Sequence, residues 1–201
     1  MAKSVPQRLI VGISGASGVI YGVRLLEALR GAGVETHLVM SKPAEMALAY
    51  ETDLKPRDVR KLASANYVVG DVGAAISSGS FQTMGMMILP CSIKTMSEIA
   101  TGVTGTLISR AADVCLKERR RLVVAIRETP LHAGHLRNLA ALSDLGAIVA
   151  PLVPAFYTRP KTIDDIVNHS VGRLLDLFGI ETDLVKRWRD RETKTKGIAD
   201  E

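Results

Sequence analysis

Short apolar runs recur along the chain at 8–13 (RLIVGI), 34–40 (VETHLVM), 84–89 (MGMMIL), 121–126 (RLVVAI) and 146–150 (GAIVA). Each is too short for a helix and has the continuous apolar character of a strand covered on both faces. Between them the period becomes helical. In 19–30 the apolar positions Val23, Leu25, Leu26 and Leu29 share a face, and similar stretches run over 42–51, 92–100, 105–118, 134–144 and 162–178. Strands alternating with helices predict parallel pairing, because parallel neighbours need a crossover. The expected fold is α/β, a doubly wound parallel sheet in three layers, α/β/α. No repeat or linker interrupts it, so a single domain is expected over 1–201, with a core at about 8–180 and a tail at 181–201.

In such a sheet ligands bind beyond the carboxyl ends of the strands. The turn GISGASG, residues 12–18, sits there between the first strand and a helix. Glycine lets backbone approach a ligand and aims amides and the helix dipole at an anion. A serine-nucleophile elbow fails on spacing: G-x-S-x-G needs glycine at position 19 or 16, which hold Val19 and Ala16. A Walker A loop fails for want of G-K-[ST], and the glycines Gly12, Gly15 and Gly18 do not spell G-x-G-x-x-G. Ser41 stands where a nicotinamide dinucleotide site uses an acidic residue. A mononucleotide phosphate fits the turn better, and a purely structural glycine turn is the alternative. Three further strand ends carry polar chemistry: PCSIKT at 90–95, where Ser92 can cap a helix; RETPLH at 127–132, with Arg127 and Glu128; and PLVPAFYTRP at 151–160, with Phe156 and Tyr157.

Composition narrows the function. At 201 residues and 47% hydrophobic the chain can bury one substantial core. The formal charge of +5 is concentrated in KERRR (117–121) and in the tail KRWRDRETKTK (186–196), mixed with acids, and aromatics are only 4%. That leaves little base-stacking material, so no nucleic-acid partner is expected. No apolar run reaches the ~18 residues of a membrane span, so no membrane partner is expected and the chain is placed in the cytoplasm. Cys91 and Cys115 form no C-x-x-C, which fits buried reduced thiols, and no structural metal is expected.

The blocks LIVGISGASGVIYGVRLL, ETHLVMSK, SSGSFQT, LPCSIKT, RAADVCLKERR, RETPLHAGHL and VPAFYTRPKTIDDIVNH, in this order, resemble the flavin prenyltransferase family, the UbiX-type proteins once described as aromatic-acid or polyprenyl-hydroxybenzoate decarboxylases. The likeness runs from about Leu9 to Trp188. It implies a flavodoxin-like (Rossmann-like) fold in a homo-oligomer, a dodecamer. It also implies binding of reduced FMN and dimethylallyl monophosphate, transfer of the prenyl group to N5 and C6 of the flavin, and delivery of the prenylated FMN to a UbiD-type decarboxylase. Carried over by position, Gly15, Ala16, Ser17, Ser41, Ser92, Ile93, Lys94, Thr95 and Arg127 match the flavin contacts, with Ser17 also near the reacting end. Lys117, Tyr157 and Arg173 match the grip on the prenyl phosphate, with contributions from Arg110, Glu51 and the loop bearing Ser78 and Ser80. Glu128 matches the proton-transfer carboxylate. Many relatives carry small residues and glycine where this chain has Ile93 and Lys94.

That inventory makes chemical sense. Monophosphate is a poor leaving group, so without metal the departing dianion needs donors from the protein, which Lys117, Arg173 and Tyr157 can supply. Glu128 can take the proton lost on ring closure, or it can simply orient Arg127. Two rivals remain. An FMN-dependent decarboxylase of the peptidyl- or phosphopantothenoyl-cysteine type would carry a P-x-M-N-x-x-M-W loop, where this chain has PLVPAFY; a non-enzymatic flavin-binding subunit would not need Lys117, Glu128 and Arg173 together. His132 and His135 read as helix-start or interface packing, His37 as structural, and Trp188 as packing, on its own core or over a neighbour's site.

Overall fold

The computed structural model describes residues 7–185 and 187. Six strands make one wholly parallel sheet: β1 (Arg8–Ile13), β2 (Glu35–Met40), β3 (Ala65–Tyr67), β4 (Gly85–Cys91), β5 (Arg121–Ile126) and β6 (Ile148–Val149). Their order is β3-β2-β1-β4-β5-β6. The winding therefore runs outward from β1 in one direction and then, after a return to β4, in the other. Ligand crevices open at such reversals. The helices are α1 (Val19–Gly31), α2 (Lys42–Glu51), α3 (Pro56–Arg60), α4 (Ile93–Ala100), α5 (Leu107–Lys117), α6 (Ala133–Asp144) and α7 (Ile163–Asp176).

The strand period of two divides the core into two layers. Leu9, Val11, Ile13, Met87, Leu89, Val123 and Ala125 face one way and pack on α1, α2 and α7. Ile10, Met86, Ile88, Leu122, Val124 and Ile126 face the other way and pack on α4, α5 and α6. This is the doubly wound, three-layer α/β arrangement that the alternation of periods predicts.

Three differences from the sequence pattern have physical reasons. β3 has only three residues, two half-buried and one exposed, so it makes no apolar run. Its place is held by polar pairing: Glu35 takes Arg8 Nε at 3.0 Å and His37 Nε2 at 2.7 Å, and His37 Nδ1 reaches the Tyr67 hydroxyl at 2.8 Å. The Arg8 guanidinium and then His37 hold the Glu35 carboxyl below its usual range. Secondly, β4 continues through Pro90 to Cys91, two residues that the sequence assigns to a loop. The register with β5 shifts between Ile88 and Cys91, and a proline, lacking an N–H, is tolerated at such a bulge. Thirdly, α3 is a five-residue helix opened by Pro56, too short for a periodic signal.

α1 lies very close to the sheet. A β-carbon on Gly22 would stand 2.6 Å from the Leu89 carbonyl oxygen and 2.8 Å from Ile13 Cδ1, whereas one on Gly31 would meet nothing within 4 Å. Gly22→Ala should therefore lower stability by about 1–3 kcal/mol through overpacking. Gly31→Ala should raise it by about 0.5–1 kcal/mol through helix propensity. Urea denaturation midpoints of the two variants should move in opposite directions.

Candidate functional site

The crevice between β1 and β4 is bridged by a residue that the sequence reading passed over. Ser14, 1% exposed, accepts the Ser92 amide at its hydroxyl (2.7 Å) and donates that hydroxyl to the Pro90 carbonyl (3.2 Å). Its own amide reaches the same carbonyl at 3.1 Å. The turn after it packs against the start of α2: a β-carbon on Gly15 would fall 2.3 Å from Pro43 Cβ. Cys91, just before Ser92, is fully buried, and burial pushes its thiol up to about 12, so it offers the crevice no nucleophile.

The crevice opens into a cleft of about 300 Å³. Seven of the residues singled out above line it: Gly15, Ser41, Ser92, Ile93, Lys94, Thr95 and Glu128. Three of its lining residues, Ser41, Ser92 and Thr106, are the N-caps of α2, α4 and α5. Their hydroxyl oxygens accept the amides of Ala44, Thr95 and Ser109 at 3.1, 3.3 and 3.2 Å. Three positive helix ends thus converge on one cavity, each equivalent to roughly half a charge. Pro43, Val69, Ile93 and Ile108 give the same cavity apolar walls. An anion at the helix ends with a flat, largely apolar body between the walls matches this lining.

The amino end of α1 is occupied differently from what the glycine turn suggests. Glu51 reaches across from the end of α2 and accepts the amides of Gly18 and Val19 at 2.8 and 3.0 Å. The anion on this helix is the protein's own carboxylate, so the Gly18 and Val19 amides are spent on Glu51. Ser17 is exposed on the same turn and Ala16 is buried beneath it. At the end of β5, Arg127 and Glu128 are both exposed; the Arg127 amide continues the pairing to Cys91, and the Glu128 carboxylate accepts the Thr129 amide at 2.9 Å.

The residues assigned to the prenyl phosphate fall elsewhere. Tyr157 and Arg173 line a second cleft of about 530 Å³ along β6, which shares no residue with the first. Lys117 ends α5, whose eleven residues rise by about 16 Å away from Thr106. Ser78 and Ser80, hydrogen-bonded to each other at 2.9 Å, flank Gly79, next to the Lys117 and Glu118 side chains. Arg110 lies two turns back along α5. Each of the three cations leans on an acid: Lys117 on Glu118 at 2.5 Å, Arg110 on Asp113 at 2.9 Å and Arg173 on Asp176 at 2.5 Å. One chain thus gathers seven of the expected residues in the first cleft and leaves Tyr157 and Arg173 in the second, with Lys117, Ser78 and Ser80 at the far end of α5. His132 caps α6 by accepting the Gly134 amide and stacks on His135, 3.6 Å between centroids. Trp188 and the charged run that follows it lie outside the described residues.

Ser14, Pro43, Val69, Glu98, Thr106 and Ile108 shape this site without having been singled out. Pro43 and Thr106 carried a usable signal, a proline at a helix start and a threonine ahead of a helical run. Ser14 carried none, because its partners are set by the register of two strands far apart in sequence.

With that geometry in place, the likenesses to known proteins can be stated. The family model described as "Flavoprotein" matches residues 2–175. A flavin prenyltransferase UbiX from Thauera aromatica is 54% identical over 187 residues, 93% of this chain and 96% of that protein. The crystal structure of AnUbiX (PadA1) in complex with FMN and dimethylallyl pyrophosphate superposes with a TM-score of 0.90 at 50% identity, covering 91% of this chain and 97% of that one. A dodecameric FMN-dependent UbiX-like decarboxylase from Escherichia coli O157:H7 superposes with a TM-score of 0.88 at 51% identity, covering 90% of this chain and 98% of that one.

The bridge at Ser14 predicts a contrast between serines. Ser14→Ala strands the partly buried Ser92 amide and should cost about 1–3 kcal/mol. Ser41→Ala removes an N-cap at the rim and should cost about 1 kcal/mol. Equal losses in chemical denaturation would count against the bridge.

Proposed function

This chain belongs to the flavin prenyltransferases of the flavoprotein family, and we propose that it joins the dimethylallyl group of dimethylallyl monophosphate to N5 and C6 of reduced FMN, making prenylated FMN for a UbiD-type decarboxylase. The observation that carries this reading is the convergence of three helix amino-termini on a cleft with apolar walls and Glu128 at its rim. The residues fit FMN. Ser92–Thr95, with the Ser41 and Thr106 caps beside them, would hold its phosphate, and Ile93 and Ile108 would border its ring. The cysteine-decarboxylase and accessory-subunit readings lose their support to relatives that are named flavin prenyltransferases and match nearly the whole chain.

Reduced flavin supplies a nucleophilic nitrogen and an electron-rich ring edge. The protein's part is to bind, orient and exchange charge and protons. Lys117, Arg110 and Arg173 would meet the phosphate as its bond to the allylic carbon breaks, where a preorganised donor is worth about 3–4 kcal/mol, and Tyr157 would hold it as the donor binds. Glu128 would accept the proton given up at ring closure. Glu51 would keep the α1 terminus neutral beside Ser17 and so leave the donor's anion to the cationic grip.

Because one chain does not unite these groups, the complete site needs more than one copy. The homo-oligomer, read as a dodecamer in line with the E. coli relative, would bring the Tyr157–Arg173 cleft or the Lys117 face of one copy to the flavin cleft of another. Large apolar side chains stand ready for such contacts: Tyr50, Val153 and Phe156 are 85%, 75% and 69% exposed. No described helix is long and apolar enough to cross a membrane, and we place the reaction in the cytoplasm.

An anaerobic incubation with reduced FMN and dimethylallyl monophosphate, with the pyrophosphate as a second arm, should yield a flavin heavier by one prenyl unit. An unmodified flavin in both arms would sink the proposal. Glu128→Gln should still bind FMN and release phosphate, yet fail to form the cyclised flavin, since an amide cannot take the proton. Lys117→Ala and Arg173→Ala should slow phosphate release itself by at least about 100-fold. Turnover should also survive EDTA, because the leaving group is neutralised by side chains; loss of activity restored by magnesium would overturn that assignment.

A further inference from the structure

The cleft along β6 is mostly apolar, with walls from Ala150, Leu152, Leu174 and Leu177, and its polar lining includes Tyr157, His169, Ser170 and Arg173. A short apolar chain ending in an anion fits such a lining. His169 is out of keeping with its position. It sits on the buried side of α7 with Val167, Val171 and Leu175, and is only 7% exposed. Its Nε2 lies 3.0 Å from the Tyr157 hydroxyl, and the two rings meet edge to face, 5.5 Å between centroids.

Burial, and then the Arg173 guanidinium one turn along, push the imidazole pKa below its ordinary value. The ring is therefore neutral at pH 7, with one N–H and one lone pair. A lone pair on Nε2 would take the phenol's only hydrogen and leave just oxygen lone pairs to meet a ligand, which repel an anion. An N–H on Nε2 instead donates to the phenol oxygen and leaves the phenol's own hydrogen for a ligand oxygen. An anion beside Arg173 selects the second arrangement.

We propose that His169 is a positioning residue for prenyl transfer: as the neutral Nε2–H tautomer it donates to the Tyr157 oxygen and so aims the phenol hydrogen at the phosphate of the prenyl donor. It acts through Tyr157 alone, and no proton leaves it. The proposal rests on the reading that this cleft takes the donor's phosphate.

The test is steady-state kinetics of the full-length oligomer with reduced FMN and dimethylallyl monophosphate, alongside FMN titration and thermal unfolding. His169→Phe and Tyr157→Phe should each raise the KM for dimethylallyl monophosphate about tenfold, the worth of one hydrogen bond, with FMN affinity unchanged. The double variant should be no worse than Tyr157→Phe alone. His169→Gln, whose amide N–H reaches about as far as Nε2, should recover most of the loss. If His169→Phe does not fold, His169→Asn takes its place, because its amide stops short of the phenol.

A wild-type KM in His169→Phe while Tyr157→Phe is impaired would overturn the proposal and leave the cleft assignment standing. Losses that multiply in the double variant would also overturn it, because the two residues would then act independently. Wild-type KM values in both Tyr157→Phe and Arg173→Ala would remove the cleft assignment and the proposal with it.

Discussion

The cleft depends on one buried hydroxyl. β1 and β4 are the strands where the winding reverses, so the chain leaves them toward opposite faces, into α1 and into α4. β4 carries a register shift in its pairing with β5, and beside β1 it presents a proline that can donate nothing to a ladder. Ser14 ties the two strands there: its amide and hydroxyl both donate to the Pro90 carbonyl, and its oxygen receives the Ser92 amide. The start of α4 is thereby fixed to the turn after β1. The direction of the α4 dipole, and with it the anion site of the cleft, follows from this tie.

Glu51 decides where an external anion can go. Four helices begin near the carboxyl edge beside the cleft, and a free amino-terminus on each would let a phosphate choose among them. The Glu51 carboxylate sits on the amides of Gly18 and Val19 and removes α1 from that choice. The three remaining starts share one cavity, which becomes the place of most positive backbone potential. The turn richest in glycine is close-packed at Gly15, where a β-carbon would meet Pro43.

This division explains what could be read from the sequence. Fold class was legible because it rests on local period, and β1, β4 and β5 are nearly wholly buried runs. β3 was not, since a three-residue edge strand is held by the Glu35–His37–Tyr67 chain of hydrogen bonds rather than by apolar content. In the site, Ser41 and Ser92 were legible because a serine ahead of a helical run has a local cause. The roles of Ser14 and Glu51 were not, because each acts on a partner set by tertiary register: Ser92 for the one, the start of α1 for the other.

The scattering of the three cations proposed to grip the phosphate is in keeping with their charge. Lys117, Arg110 and Arg173 brought together without a ligand would repel one another at short range in a partly dry site. Spread out, each rests on a neighbouring acid, and the acids feel it: Glu118 is held below its usual range by Lys117, and Asp176 by Arg187 and then by Arg173. Such exposed pairs are weak, because solvent screens them and holding two side chains costs entropy. A phosphate dianion offers each cation more charge than a carboxylate does, so in the proposed assembly it would displace these partners where neighbouring copies bring the groups within reach. Under the proposed assembly, ligand and oligomer would be coupled: subunit interfaces would set the spacing of the cations, and the phosphate would remove the repulsion that this spacing creates.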